Sequence, residues 1–157
     1  MKNLAETSNS KFSVSEISIS YNPKVRNSDR EKITCSQDCY RIVRPFFESI
    51  INYKESFYAM FLNRRHCVLG VSKISEGGIF GTMVDPKLIF QTALKAHASA
   101  IVVFHNHPSG NLKPSEADIK LTQKLKDAGN FLDLPLLDHI ILTDESYYSF
   151  CDEGIMN

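Results

Sequence analysis

The stretch AIVVFHNHPSGNLKPSEAD (residues 100–118) contains a change of secondary structure that determines the fold. Its first half is a continuous apolar run, which predicts a buried strand over 100–107 that ends at Pro108. A short loop follows, and Ser115 and Asp118 then form a capping-box pattern at the start of a helix. The stretch therefore predicts a strand–loop–helix unit of the kind found in α/β proteins.

Two further helices are predicted upstream of this unit. The first covers 36–52, with Ser36 as its N-cap and Pro45 as a point where the helix kinks or divides. The second covers 86–98, where Asp85 is the N-cap and a proline occupies the first helical position. The second helix is separated from the 100–107 strand by a short connection, which is typical of a helix packed on a sheet.

The helix that begins near 115 is predicted to run to about 128 and to stop at Gly129. Apolar runs bounded by turn residues predict further strands at 56–63, 67–74, 79–84 and 138–143. Strands interleaved with helices predict an α/β fold of the α+β type, a mixed sheet flanked by helices. The aromatic residues near the C-terminus are predicted to pack on this core as a short strand or turn.

The N-terminal part differs in composition from the rest. Residues 1–32 are rich in Ser, Asn and Lys, which predicts a loosely attached arm, and 33–157 is predicted to be the compact domain. Within the arm, apolar residues alternate over 11–23. This alternation predicts an edge strand that adds either to the domain or to a partner chain, so that an oligomer could form through it.

Composition and charge exclude several classes of function. The chain has 157 residues, with 18 basic and 18 acidic side chains, so no net field attracts nucleic acid or an anionic membrane. Its apolar runs are too short to span a bilayer, and its N-terminus lacks the apolar centre of a secretory signal. Four cysteines without a C-x-x-C pair fit a reducing compartment. We therefore expect a cytoplasmic protein without a membrane partner.

Three side chains of the opening stretch predict a metal site. Because strand residues alternate between faces, His105 and His107 point the same way at the end of their strand. Asp118 flanks the apolar stripe of the following helix, and a carboxylate near the buried side needs a partner. Its place in the capping box offers a purely structural role as well. Two imidazoles and one carboxylate are three ligands of a zinc site whose fourth position is open for water.

The pattern H-x-H, seven residues and then S-x-x-D resembles the JAMM motif of MPN-domain metalloproteases. More closely, HNHPSGNLKPSEADIKLTQKLKDAG with a downstream LLDHIILTD resembles the C-terminal domain of the RadC family, whose members are often labelled DNA repair proteins. The resemblance implies an MPN/JAMM-like fold with a layered, cytidine-deaminase-like architecture. It also implies that His105, His107 and Asp118 bind Zn²⁺ and that Ser115 helps to hold the oxyanion of the tetrahedral intermediate.

The family also uses a glutamate at the start of its first core strand, and the matching residue is Glu55. On composition alone, Glu48 and Glu76 compete for this role. The sequence departs from typical RadC proteins, which resemble a helix-hairpin-helix module joined to the metal domain. Residues 1–32 are too short and too polar for that module, so we expect a stand-alone metal domain with a weakened DNA-binding role.

The resemblance implies zinc-assisted hydrolysis of a peptide or isopeptide bond, with Glu55 moving the proton of the attacking water. The alternative is a nucleic-acid-associated repair or mobile-element accessory protein with a non-proteolytic metal site, or a module whose metal is structural. The tripeptide His-Asn-His at 105–107 is not an HNH nuclease signature, because in that family the three residues are scattered over a ββα unit. The H-x-E and P-C-x-x-C motifs of zinc deaminases are absent from the sequence. His139 is predicted to be a satisfied structural histidine rather than a partner of the metal ligands.

Overall fold

Five strands form one mixed sheet in the computed structural model, which describes residues 15, 17, 18, 20–77 and 82–156. The strand order is β2-β1-β3-β4-β5; only the β3–β4 pair is parallel, and the other neighbours are antiparallel. The α/β fold class predicted from the sequence is confirmed. The elements in chain order are α1 (Ser36–Phe47), β1 (Ser56–Leu62), β2 (Val68–Glu76), α2 (Pro86–Lys95), β3 (Ala100–Asn106), α3 (Glu116–Phe131), β4 (Leu136–Leu142) and β5 (Tyr147–Ser149).

Helices cover both faces of the sheet, which explains why its central strands are buried throughout. All seven residues of β1 and all seven of β3 are buried. One face packs on α1 through Cys39, Val43 and Phe47. The other face packs on α2 and on Leu125 of α3. Burial on two faces removes the alternation of polar and apolar residues that marks a half-exposed strand.

The alternation of side chains along β3 assigns its last residues to different faces. Phe104 lies in the core cluster on the α1 side, whereas Val103 lies in the cluster on the α2 and α3 side. His105 pairs with Phe57 of β1 in the antiparallel register and shares its face. Asn106 belongs to the α1 side. The C-terminal end of β3 and the N-terminal end of β1 therefore lie side by side at one end of the sheet. The start of α3 reaches the same end, where Asp118 contacts His105.

The first helix differs from its prediction at both ends. Cys35, not Ser36, is the N-cap, and it makes no side-chain capping hydrogen bond. The Ser36 hydroxyl instead donates to the Asp152 carboxylate at 2.5 Å, a contact from the far end of the chain that local sequence does not reveal. The helix ends at Phe47, two residues after Pro45, and the chain continues as turns, so the predicted continuation to residue 52 is wrong.

The prediction that Gly129 stops the third helix is wrong, because α3 continues to Phe131. Gly129 is required there for another reason. The Leu134 amide donates to its carbonyl at 2.8 Å, and a Cβ at this position would collide with the Leu134 carbonyl oxygen. The glycine thus allows the chain to fold back closely on the helix toward β4. By contrast, Asp85 is the N-cap of α2 as predicted, accepting from the Lys87 amide at 2.9 Å.

Two predicted strands fall partly outside the described residues. Of the segment 79–84, only 82–84 is described, and it is not a strand. Of the predicted edge strand over 11–23, residues 15, 17, 18 and 20–23 are described, and none of them is strand. The end of the arm does pair with the sheet edge, since the Val68 amide donates to the Glu31 carbonyl at 2.8 Å. Across the described ranges, the structure contains no helix with the length and apolar character needed to cross a membrane.

Candidate metal centre

The side chains of His105 and His107 converge with that of Asp118 where β3 ends and α3 begins. The two Nε2 atoms lie 2.9 Å apart. His105 Nε2 is 3.2 Å from Asp118 Oδ1, and His107 Nε2 is 3.5 Å from Asp118 Oδ2. One potential ligand atom from each residue falls within 4.8 Å of the others. Two imidazole nitrogens and a carboxylate oxygen fit a zinc site with an open position, so the residues present suit a metal ion.

Each histidine is held by its other ring nitrogen. His107 Nδ1 lies 2.6 Å from the carbonyl oxygen of Asn111, which accepts only, so this nitrogen carries the proton. His105 Nδ1 lies 2.8 Å from His139 Nε2. The ring of Phe57 stacks against His105 at a centroid distance of 6.0 Å. Both imidazoles are therefore oriented with Nε2 toward Asp118.

Ser115 and Asp118 form a complete capping box, as predicted, within the same turn that reaches the histidines. The Asp118 amide donates to Ser115 Oγ at 3.1 Å, and the Ser115 amide donates to Asp118 Oδ2 at 2.7 Å. The Ser115 hydroxyl also donates to Oδ2 at 2.7 Å. The cap thus fixes the carboxylate on one side, while its Oδ1 faces His105. Helix capping and the metal-ligand arrangement coexist.

The electrostatics of the cluster follow from this convergence. Burial alone would raise the pKa of Asp118, but the imidazoles of His105 and His107 that face its carboxyl group hold that pKa far below its usual range. Burial alone would lower the pKa of His107, but the Asp118 carboxylate and the Asn111 carbonyl raise it above its usual value. These contacts favour the carboxylate form of Asp118, which attracts positive charge to this point.

Glu55 lines the same pocket as the three ligands, at the start of β1. The pocket has a volume of about 400 Å³ and also includes Ser115. Of the two competing glutamates, Glu48 is exposed after α1. Glu76 pairs with Lys54 and Lys73, whose hydrogen bonds lower its pKa to about 2, so it is a poor base. The glutamate available to the pocket is Glu55.

Apart from Thr82, the remaining wall of the pocket is apolar. It is formed by Phe57, Met83, Val84, Ala117 and Leu121. Of these side chains, Phe57 is buried against His105 and excludes water from that side of the ring, which strengthens electrostatic interactions there. The pocket combines a polar end of titratable groups with an apolar end, which is the usual composition of a binding site for an organic substrate.

His139 differs from its prediction as a purely structural histidine. It is fully buried on β4, and its Nε2 contacts His105 while its Nδ1 lies 2.7 Å from the Thr122 hydroxyl. Burial and then the neighbouring His105 lower the pKa of His139 well below its usual value. Its ring also stacks on Phe150 at 4.7 Å. The sequence signal for this contact with His105 was a histidine inside the otherwise mostly apolar strand LLDHIIL.

Asn106 is a second residue that the sequence analysis missed. It lies between the two histidines in sequence but on the other face of β3, completely buried. Its carboxamide donates to the carbonyls of Ile51 and Lys54 and accepts from the Ser56 amide, each at 2.9 Å. These contacts hold the segment that carries Glu55. A polar side chain in a strand buried on both faces was the available signal.

A family model for the RadC-like JAB domain matches residues 33–155. The chain belongs to this family. UPF0758 proteins are similar to it: 45% identical over 125 residues in Flavobacterium johnsoniae, covering 80% of this chain and 54% of that protein. The UPF0758 protein of Porphyromonas gingivalis is 40% identical over 128 residues, covering 81% of this chain and 56% of that protein. The resemblance to the RadC family is thus confirmed.

The chain spans about half the length of these UPF0758 proteins. Their names state neither a substrate nor a role in DNA repair. The match to the RadC-like JAB domain therefore shows the family. The chemistry of the site is inferred from the geometry of its residues. All five predicted site residues line one pocket. Their individual roles, and the identity of the metal, stay predictions.

Proposed function

We propose that this RadC-like JAB domain is a zinc-dependent hydrolase that cleaves a peptide or isopeptide bond. The observation that carries the proposal is the convergence of His105, His107 and Asp118 within 4.8 Å in a pocket that also contains a glutamate and a serine. When bound, zinc supplies a Lewis acid that polarises the scissile carbonyl and lowers the pKa of the attacking water. The family membership supports this reaction class.

The side chains around the ligands divide the remaining work. Glu55 takes a proton from the attacking water and gives it to the leaving amine, as a general base and then a general acid. Ser115 donates a hydrogen bond to the developing oxyanion, which requires its hydroxyl to turn away from Asp118. The apolar wall accepts an apolar part of the substrate. The four free cysteines support a cytoplasmic location.

Cleavage of a peptide library by the zinc-loaded protein, followed by mass spectrometry, tests the proposal. Glu55→Gln should keep its zinc and lose roughly 10²–10⁴-fold in rate, the usual contribution of a general base. Glu48→Gln, which removes an exposed glutamate outside the pocket, is the matched control and should retain the wild-type rate. Wild-type cleavage by Glu55→Gln, or no cleavage by zinc-loaded wild type, would reject the hydrolase and favour a non-proteolytic metal site.

A further inference from the structure

A metal-ligating histidine must present a lone pair on one ring nitrogen while the other nitrogen carries its proton. For His107 this assignment follows from one contact, because Nδ1 meets a carbonyl oxygen that accepts only. For His105 the contact is with His139, and either ring of such a pair can be the donor. The orientation of His105 therefore depends on what fixes His139.

The Thr122 hydroxyl, which contacts His139, fixes the position of the proton on that ring. The Thr122 hydroxyl is 2.6 Å from the backbone carbonyl oxygen of Asp118 and 2.7 Å from His139 Nδ1. A hydroxyl has one hydrogen, and the carbonyl accepts only, so this hydrogen points to Asp118. Thr122 Oγ must then accept from His139, which places the His139 proton on Nδ1. The Nε2 of His139 is left to accept from His105 Nδ1–H.

Burial fixes the direction of the hydrogen bonds between Thr122, His139 and His105. His139 is 0% exposed, His105 is 1% exposed and Thr122 is 5% exposed. Water has no access to supply a missing hydrogen or to satisfy a wrongly turned ring, and an unmade hydrogen bond in such surroundings is costly. The chain also begins and ends on ligand residues, because the carbonyl of Asp118 is at one end and the imidazole of His105 at the other.

We propose that Thr122 and His139 are positioning residues that relay the polarity of the Asp118 carbonyl to His105 and so leave its Nε2 free to bind the metal. Both histidine ligands then present Nε2 toward the Asp118 carboxylate before the ion arrives. This inference rests on the proposed function only in that the site binds a metal. Thr122 and His139 support the ligands without contacting the metal or the substrate themselves.

Nitrogen-15 NMR of the metal-free protein tests the inference through histidine tautomers. His139 is expected as the neutral form with its proton on Nδ1, and His105 is expected to carry a proton on Nδ1. A His139 ring protonated on Nε2 would overturn the inference whatever the enzyme does. This readout is independent of hydrolysis and of zinc, so failure of the proposed function would leave it intact.

Zinc titration against a competing chelator provides the second arm. His139→Leu and Thr122→Val, which remove the relay, should raise the zinc dissociation constant by roughly 10–100-fold. His139→Gln keeps an acceptor and a donor and should recover part of the affinity. Thr92→Val is the matched control, because Thr92 makes the same bond to the carbonyl four residues back, at 2.7 Å, far from any ligand. Wild-type affinity in folded His139→Leu would contradict the inference; if that variant fails to fold, the tautomer measurement decides.

Discussion

The side chain of Asn106 accepts a hydrogen bond from the backbone amide of Ser56 at 2.9 Å, across fifty positions of sequence. The contact joins the strand that ends in the histidine ligands to the residue that follows Glu55. Alternation along β3 makes this possible, since His105 faces the pocket and its neighbour faces the opposite side. One dipeptide thus orients a metal ligand and holds the segment of the proposed base.

Asn106→Ala should reduce both stability and hydrolysis. Three buried backbone groups lose their partner, at about 2–4 kcal/mol of unfolding free energy in total. Hydrolysis should fall because Glu55 is no longer held, whereas the metal ligands are untouched and zinc binding should persist. Asn63→Ala is the control: Asn63 accepts from the Arg65 and Cys67 amides at the far end of β1. It should lower stability without lowering the rate per folded molecule; an equal loss of rate in both variants would contradict the role of Asn106.

Ser115→Ala separates helix capping from catalysis. The variant loses the cap of α3, which should cost about 1 kcal/mol of unfolding free energy. In addition, the rate should fall roughly 10²-fold or more, because an oxyanion donor is removed. Asp85→Ala loses the equivalent cap of α2 and should show the stability change alone. Chemical denaturation and initial rates measure the two effects, and a Ser115→Ala enzyme as fast as Asp85→Ala would exclude the oxyanion role.

Acid should destabilise the metal-free protein through His139. Because burial lowers its pKa, the folded protein keeps this ring neutral where the unfolded chain binds a proton, below about pH 6.5. The stability that depends on the neutral ring is present above about pH 6.5 and is lost as the pH falls toward the folded pKa. His107 acts in the opposite direction, since its pKa is raised: its contribution is complete below about pH 6.5 and is lost as the pH rises.

Denaturation curves in chelator between about pH 6 and 5 emphasise the His139 effect, because the unfolded His107 is then mostly protonated and the pKa of the folded one is raised. The unfolding free energy should fall by up to about 1.4 kcal/mol per pH unit, and His139→Gln should show a smaller slope. His66→Gln, which removes an exposed histidine, should keep the wild-type slope. An unchanged slope in His139→Gln would contradict the buried neutral ring.

Gly129→Ala should destabilise the protein although alanine favours helices. The added Cβ meets the backbone oxygen of Leu134, which cannot move without displacing the turn into β4, so we expect a loss of about 1–3 kcal/mol. Gly70→Ala is the matched control, because nothing lies within 4 Å of a Cβ at that position in β2. Thermal unfolding of both variants compares them; equal midpoints would show that the close approach at Gly129 is relieved at no cost.

The sequence predicted the ligand set because all of it lies in one strand–loop–helix unit. Strand alternation relates His105 to His107, and a short loop brings Asp118 back beside them. Both relationships are local, and local periodicity is what a sequence displays most directly. The N-cap at Asp85 was predictable for the same reason.

Contacts between segments that are distant in sequence could not be predicted from local patterns. His139 reaches His105 because β4 lies beside β3 in the sheet, and this pairing joins segments separated by α3. Likewise, the requirement at Gly129 comes from the returning chain at Leu134 rather than from a helix end. The prediction that Ser36 caps the first helix is wrong because its hydroxyl binds Asp152, at the other end of the sequence. Sheet order and chain return are tertiary facts that override local preference.

The most direct test of the metal centre is the zinc content of purified protein after removal of metal, reloading and dialysis. We expect about one zinc per chain for wild type, the value for a single three-ligand site. His107→Ala, which removes one of the two convergent Nε2 atoms, should retain almost none. The exposed His66 provides the control, since His66→Ala should bind as wild type does. Near-stoichiometric zinc in His107→Ala would contradict the assignment of the ligands.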